Sequence, residues 1–402
     1  MNKKFVFSMW TYNNISEFTP DEIETWVDLG MTIPMLPSAD IDRDDPSILI
    51  PWLDKAKELG VQVIVNYGGM GYDECRRLGP EKYEAKIKPL YDALGGHPAV
   101  HGFCIGDEPD NKEDLEASAE TLRINKKLAP HLDPFLNYTG AIADFDNERL
   151  GGRDLSGWMR YAYEKSGARE ICFDSYAQAV NDGGGKTAHL RATAKLVEAA
   201  KAADRSEIWG CLLSSAHHVY SPQTEVDYRW QIHTAAALGL RGVLWFRLYD
   251  RITAIGYYGS PIDEFGTKTE GYYGLRRCQR RFSANYGEIF MRINHKKTYA
   301  VKSDRGVFPE FGPGCHDVIE NIKANDETII SFFDGEDGYE YMCVVDSETR
   351  FYGMLEFYYD REKYALYDVT MNGASESLVR GENGSEISII PAGLQLYKIV
   401  RK

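Results

Sequence analysis

Four times along the chain a Leu-Gly pair ends an amphipathic stretch, and a short, wholly apolar run follows. Leu29-Gly30 precedes MTIPML, and Leu59-Gly60 precedes VQVIVNY. Leu94-Gly95-Gly96 leads to VHGFCI, and Leu238-Gly239 leads to GVLWF. Glycine at such a point closes a helix in the left-handed conformation that other residues avoid. A strand without polar alternation is buried on both faces, so it belongs to a parallel sheet covered by helices. Eight strands are predicted: Phe5 to Thr11, Met31 to Leu36, Val61 to Tyr67, Val100 to Gly106, Pro134 to Tyr138, Glu170 to Ser175, Glu207 to Leu213 and Arg241 to Leu248. Their starts lie 26 to 39 residues apart, the length of a strand–helix unit. The pattern predicts an α/β fold, a (β/α)8 barrel over residues 1–300. A doubly wound open sheet would carry a Gly-rich phosphate loop after its first strand, and WTYNN is not one.

Beyond residue 300 the helical period disappears. ETIISFFD, YEYMCVVDS, GMLEFYY, KYALYDV and EISIIPAGLQLYKIV read as strands separated by GEDG, NGAS and GENG turns. A small all-β sandwich is expected over 315–402. The glycines at 183–185 read as a loop on the barrel rim.

A formal net charge of −15 argues against nucleic acid and against a membrane surface as partners. The seven cysteines are scattered, with no CxxC pair and no zinc-like spacing. Neither a metal nor a cofactor is expected. The opening MNKKFVFSMWTYNN holds too short an apolar run for a signal peptide, and no small-residue cleavage site follows it. The expectation is a soluble, cytoplasmic protein.

Polar residues at the C-terminal ends of barrel strands are where chemistry is sought. Here they are Trp10, Tyr12 and Asn13 after strand 1, Asn66 and Tyr67 after strand 3, and Asp107 and Glu108 after strand 4. Asn137 and Tyr138 follow on strand 5, Asp174 and Tyr176 on strand 6, and Ser214, Ser215, His217 and His218 on strand 7. Strand 8 ends with Trp245, Arg247, Tyr249 and Asp250. Acids move protons, aromatic faces stack on sugar rings and amides bind hydroxyls, so the rim suits a carbohydrate. Adjacent His217 and His218 point in different directions and are not read as a metal pair. The plain alternative for Asp107 and Glu108 is a helix start, where acids suit the dipole and Asp caps. For Asp174 it is a strand-end acid held by backbone amides or Arg247. For the aromatics it is packing at the barrel mouth.

GDEPD, at the end of strand 4, resembles the NEP motif of glycoside hydrolase clan A. The passages VDYRWQIHTAAALGLRGVLWFRLYD and PIDEFGTKTEGYYGLRRCQRRFSANYGEIF resemble that clan's last barrel segments, and a sandwich ending in PAGLQLYKI is common there. The resemblance implies Glu108 as general acid/base, with Asp107 in the place of an Asn that binds the sugar 2-hydroxyl. The chain departs from the clan at strand 7, where IWGCLLSSAHH lacks the nucleophilic Glu. Asp174 or Asp250 would have to supply the second carboxylate. The adjacent Asp-Glu also resembles substrate-assisted β-N-acetylhexosaminidases, in which the Asp orients an acetamido group.

The reading is a glycosidase acting on an oligo- or polysaccharide. Its catalytic candidates are Glu108, Asp107 and Asp174. Its substrate-binding candidates are Trp10, Tyr12, Asn66, Tyr67, Tyr138, Tyr176, His217, Trp245, Arg247 and Tyr249. The rivals are a degenerate barrel that binds sugar without cleaving it, and a lyase or isomerase using the same acids.

Overall fold

Seven of the expected strands form one parallel sheet: β1 (Val6–Met9), β2 (Val63–Val65), β3 (Val100–Asp107), β4 (Phe135–Tyr138), β5 (Glu170–Asp174), β6 (Glu207–Leu213) and β7 (Gly242–Phe246). The order across the sheet is β1-β7-β6-β5-β4-β3-β2, so every strand except the edges lies beside its neighbours in sequence. The computed structural model describes residues 4–179, 185–205, 207–380 and 385–402. Two of the glycines at 183–185 therefore lie outside the described residues.

The expected second strand, Met31 to Leu36, is not a regular strand. Pro34 has no N–H to give to a ladder. The segment nonetheless bonds to both sheet edges. Thr32 and Ile33 donate their N–H groups to the Phe7 carbonyl of β1. Leu36 donates to the Ile64 carbonyl of β2, and Ile64 donates to the Pro34 carbonyl. The Thr32 hydroxyl accepts from the Phe7 N–H at 2.9 Å. The two edges thus share one neighbour.

Nine α-helices are described: α1 (Glu22–Leu29), α2 (Ile50–Glu58), α3 (Tyr72–Leu78), α4 (Pro80–Leu94), α5 (Lys112–Leu128), α6 (Leu155–Ser166), α7 (Gly185–Ala202), α8 (Glu225–Ala237) and α9 (Glu270–Asn285). Gly30, Gly60 and Gly239 take the expected positive φ, at 102°, 72° and 93°. Gly95 does not: it is right-handed, at φ −63°, because the chain makes a further turn there and His97 donates back to the Leu94 carbonyl. No helix among the described residues is long and apolar enough to cross a membrane.

The chain divides into two compact units. One comprises Val6–Pro222 and Gly242–Tyr272, and holds the parallel sheet and α1 to α7. Alternate residues of its strands form a single apolar cluster that includes Val6, Ile64, Phe135, Cys172, Trp209 and Leu244. At the strand starts His101 meets Glu170 at 2.7 Å, and the His101 ring stacks on Trp209 with centroids 5.5 Å apart. Both side chains are mostly buried, at 13% and 5% exposure. The second Glu170 oxygen, Oε1, has no hydrogen-bond partner.

The other unit takes Gln223–Arg241 and Tyr273–Lys402 together with the first residues of the chain. Its strands are β8 (Ile293–Val301), β9 (Ile319–Ala324), β10 (Thr328–Gly335), β11 (Glu340–Asp346), β12 (Gly353–Tyr359), β13 (Tyr364–Thr370), β14 (Ser375–Leu378), β15 (Ser385–Ile389) and β16 (Leu394–Arg401). They make a six-stranded antiparallel sheet, β8-β10-β11-β16-β13-β14, and a three-stranded one, β9-β12-β15. Ile330, Phe332, Met342 and Val344 from the first sheet share a core with Ile322, Leu355 and Phe357 from the second. Helix α8 lies against this unit. Its Trp230 indole reaches the Ser347 hydroxyl at 3.4 Å, and its His233 ring contacts the Ala392 carbonyl at 2.8 Å.

The His101–Glu170 pair makes the first prediction. Removing one partner of a buried ion pair leaves an uncompensated charge, which costs about 3–5 kcal/mol. His101→Ala should lower the unfolding free energy by that amount, read as a drop of the urea midpoint with the slope unchanged. A loss below about 1 kcal/mol would mean that water reaches Glu170 and that the pair contributes no more than a surface one.

Candidate active site

Strand β3 leaves the sheet through Gly106, Asp107 and Glu108. Gly106 has φ 140°, and a Cβ there would lie 2.5 Å from the Tyr72 ring, so only glycine passes. Glu108 has φ 46°, a left-handed conformation that a side-chain-bearing residue adopts at a cost of about 1–3 kcal/mol. Two bonds hold this bend: the Glu108 N–H donates to the Asn137 carbonyl at 2.8 Å, and the Tyr72 hydroxyl donates to the Asp107 carbonyl at 2.8 Å. Neither acid caps a helix. Helix α5 begins at Lys112, and its cap is Asn111, whose side chain accepts from the Asp114 N–H at 3.0 Å.

Ladder register decides what else faces these acids. In a parallel sheet, paired residues project on the same side. Asp107 pairs with Asn137, and the Asn137 amide donates to the Asp107 carboxylate at 2.9 Å. Asp174 ends β5, beside Cys211 of β6, and its Oδ1 accepts from the Gly140 N–H at 2.8 Å. The Glu108 carboxyl lies next to that of Asp174 on the same cavity wall.

Together these side chains line a cavity of about 160 Å³ with Trp10, Tyr12, Tyr176, Cys211, His217, His218, Phe246 and Tyr257. One wall is a short antiparallel ribbon in which Ala216–His217 pairs with Tyr257–Tyr258. The His217 and Tyr257 rings stack at 4.9 Å, and Tyr220 and Phe246 lie 5.0 and 5.3 Å from His217. Tyr176 packs edge-on against Tyr220 at 5.3 Å.

Burial sets the charge states. Asp107 is pushed up to about 6, first by desolvation and then by the neighbouring Glu108 charge, against the pull of the Asn137 hydrogen bond. Asp174 is raised well above the carboxylate range, first by burial and next by its hydrogen bond to Glu108. Of the acids in the cavity, Asp174 is thus one that burial makes hard to ionise. His217 is pushed down to about 4, mainly by burial, so its ring is neutral. The Cys211 thiol is pushed far up by burial and stays protonated.

Of the residues expected at the site, Trp10, Tyr12, Asp107, Glu108, Asp174, Tyr176 and His217 converge on the cavity, and the other six do not. Trp245 and Tyr138 are on the wrong parity: they pair with Leu212 and Phe173, and point to the face opposite Phe246 and Asn137. Tyr138 lies beside Ser118 of α5 and Arg205. Tyr249 turns to α1, accepting from the Trp26 indole and donating to Glu22 at 2.8 Å. The Tyr67 hydroxyl donates to the Asp44 carbonyl. Asn66 lines no part of the cavity, and its carbonyl accepts from the Ala39 N–H. Arg247 sits behind the wall, its guanidinium 4.7 Å from the Tyr257 ring centroid and 3.8 Å from Asp250. Asp250 is taken up by the Ser260 hydroxyl and N–H, at 2.6 and 3.1 Å.

The lining residues absent from the expected set are Asn137, Cys211, His218, Phe246 and Tyr257. Alternation along β4 and β7 would have found Asn137 and Phe246. Tyr257 carried no local signal, since only its long-range pairing with His217 brings it to the mouth.

The raised Asp107 value has a consequence for stability. Its ordinary value is 3.8, so the folded protein holds this proton more tightly than the unfolded chain does. The stability linked to it is fully present below about pH 4 and falls as pH rises through about 6. Asp107→Asn should therefore be more stable than the parent at pH 8, by roughly 1–2 kcal/mol, with no difference at pH 4. Unfolding at both pH values checks this. An equal difference at both would rule out ionisation as its cause.

The fold is similar to that of solved glycoside hydrolases. A catalytic mutant of a GH42 beta-galactosidase from G. stearothermophilus matches with a TM-score of 0.65 at 8% identity, over 100% of both chains. A glucosidase from Croceicoccus marinus matches with a TM-score of 0.51 at 11% identity, over 100% of this chain and 96% of that one. A beta-galactosidase from the psychrophilic Marinomonas ef1 matches with a TM-score of 0.52 at 10% identity, over 69% of this chain and 60% of that one. The match thus spans about three-fifths of that enzyme's length. No family model matches the sequence, and no curated protein matches it. What the chain shares with these hydrolases is their fold.

Proposed function

We propose that the protein is a glycoside hydrolase whose sheet, completed by segment 31–36, is a (β/α)8 barrel, and whose proton donor is Glu108. The observation that carries the reading is the convergence of Glu108, Asp107 and Asp174 in an aromatic-lined pocket at the strand ends. Glu108 is the exposed one of the three and presents its proton to the glycosidic oxygen. As the bond from that oxygen to the anomeric carbon breaks, the proton goes to the leaving oxygen. The anomeric centre gains positive character, which the ionised pair and Asp107 stabilise electrostatically. Water adds its hydroxyl to that carbon and returns its proton to the carboxyl pair. Asp174 holds the proton in reserve, and Trp10, Tyr12, Tyr176 and Tyr257 supply stacking surfaces. A volume of about 160 Å³ suits one sugar unit, well below the ~300–1,000 Å³ of pockets that enclose larger ligands.

The neighbouring carboxyls of Asp107 and Glu108 in the pocket support a second reading. There the nucleophile is the substrate's own acetamido group, oriented by Asp107, and Glu108 is again the acid.

Glu108→Gln and Asp174→Asn, tested on a broad panel of aryl glycosides, decide the matter. Each should lower kcat/KM by roughly 10²–10⁴-fold, with thermal unfolding nearly unchanged in Glu108→Gln. Full turnover by Glu108→Gln would remove it as the acid. Saturable sugar binding without turnover in the parent would make the protein a binding barrel. A product absorbing in the ultraviolet through a new double bond would make it a lyase.

A further inference from the structure

We propose that the sugar unit held in this pocket carries a protonated amine. The proposal rests on the glycoside-binding reading above and specifies its substrate class.

The pocket is rich in carboxyls and, among the described residues, is lined by no Lys or Arg. The three carboxyls are those of Asp107, Glu108 and Asp174. Arg247 is the cation nearby, and it is held behind the Tyr257 ring against Asp250. Neutral His217 adds no charge. The Asn137 amide gives its N–H to Asp107, while its carbonyl oxygen, Oδ1, has no partner although the residue is only 3% exposed. That oxygen is a buried acceptor on a residue that lines the pocket and bonds Asp107. Asp107 itself is bonded through one oxygen, Oδ1. On the donor side stands the Trp10 indole N–H, unbonded at 7% exposure.

A buried polar group without a partner costs free energy that a well-matched ligand recovers. A hydroxyl brings one donor to this corner, whereas an ammonium brings three donors and a charge. Its bonds to carboxylates are charge-assisted and about twice as strong as neutral ones. The surrounding rings of Trp10, Tyr12, Tyr176 and Tyr257 present the faces to which cations are drawn. An amine in the pocket would also relieve the mutual repulsion of the acids. A carboxylate-bearing sugar would meet like charge. An N-acetylated amine would offer a single N–H and no charge.

Calorimetric titration of the parent protein with glucosamine, galactosamine, glucose, galactose, N-acetylglucosamine and glucuronate at pH 7 tests this. Each amino sugar should bind at least tenfold tighter than its neutral counterpart, and the advantage should shrink as salt is raised. Asp107→Asn, checked for folding by circular dichroism, should bring the ratio of amino-sugar to neutral-sugar affinity down to within about twofold of unity. Equal or tighter binding of the neutral sugars overturns the amine and leaves the hydrolase reading intact. Tightest binding of the acetylated sugar overturns it in favour of substrate assistance. Failure of every sugar to bind, together with no turnover on the glycoside panel, overturns both readings.

Discussion

Ladder register is the constraint on which the pocket depends. Asp107 pairs with Asn137, Asn137 with Cys172, and Asp174 with Cys211. Phe246 pairs with Leu213 on the same parity. A slip of one residue in β4 would replace Asn137 by an apolar neighbour or by Tyr138 and would take from Asp107 its one side-chain donor. The irregularity in the β3–β4 pairing between Cys104 and Asp107 is what allows the chain to turn while keeping that match.

On this frame the electrostatics are costly. Three carboxyls share a small volume walled by rings, and each ionisation there works against desolvation and against the other acids. The donors that offset the cost are few: the Asn137 amide for Asp107 and the Gly140 N–H for Asp174. Asp174 is driven toward its protonated form by burial and by Glu108 beside it, while Glu108 is open to solvent. The acids are held together against their own repulsion. Strain at Glu108 points the same way, since its φ of 46° is maintained by bonds to Asn137 and Tyr72 and not by any helix cap.

Much of the fold was legible because burial on both faces leaves an unmistakable pattern. VIV, GVLWF and EIWGCLL could be little else than inner strands. Met31–Leu36 looked the same in composition, but Pro34 removes a donor and leaves only scattered bonds. The acids' place at the strand ends was legible, and of the two offered as second carboxylate Asp174 lines the pocket while Asp250 bonds Ser260. The aromatics were harder. Trp245 was attractive as the larger ring, but size says nothing about which side of the sheet a residue faces. The parity that places Phe246 inside is visible once one inward residue of β7 is known, and it takes the neighbouring strands to know it. Tyr257 depends on a pairing across about forty residues of chain, which no local pattern records.

The division of the chain has a consequence for how it comes to be made. Residues 223–241 belong with 273–402, while 242–272 return to the parallel sheet. On a ribosome, β1 to β6 emerge well before their last partner, β7, so both flanks of the growing sheet wait with open edges. Helix α8 emerges earlier still than the β10–β11 surface it packs on. The unit with the parallel sheet is complete once residue 272 has emerged, whereas the other waits for the end of the chain. Helix α8 is thus made inside the first unit's stretch of chain but waits for the second, and a fragment ending near residue 300 would lack the Ser347 hydroxyl that its Trp230 indole reaches.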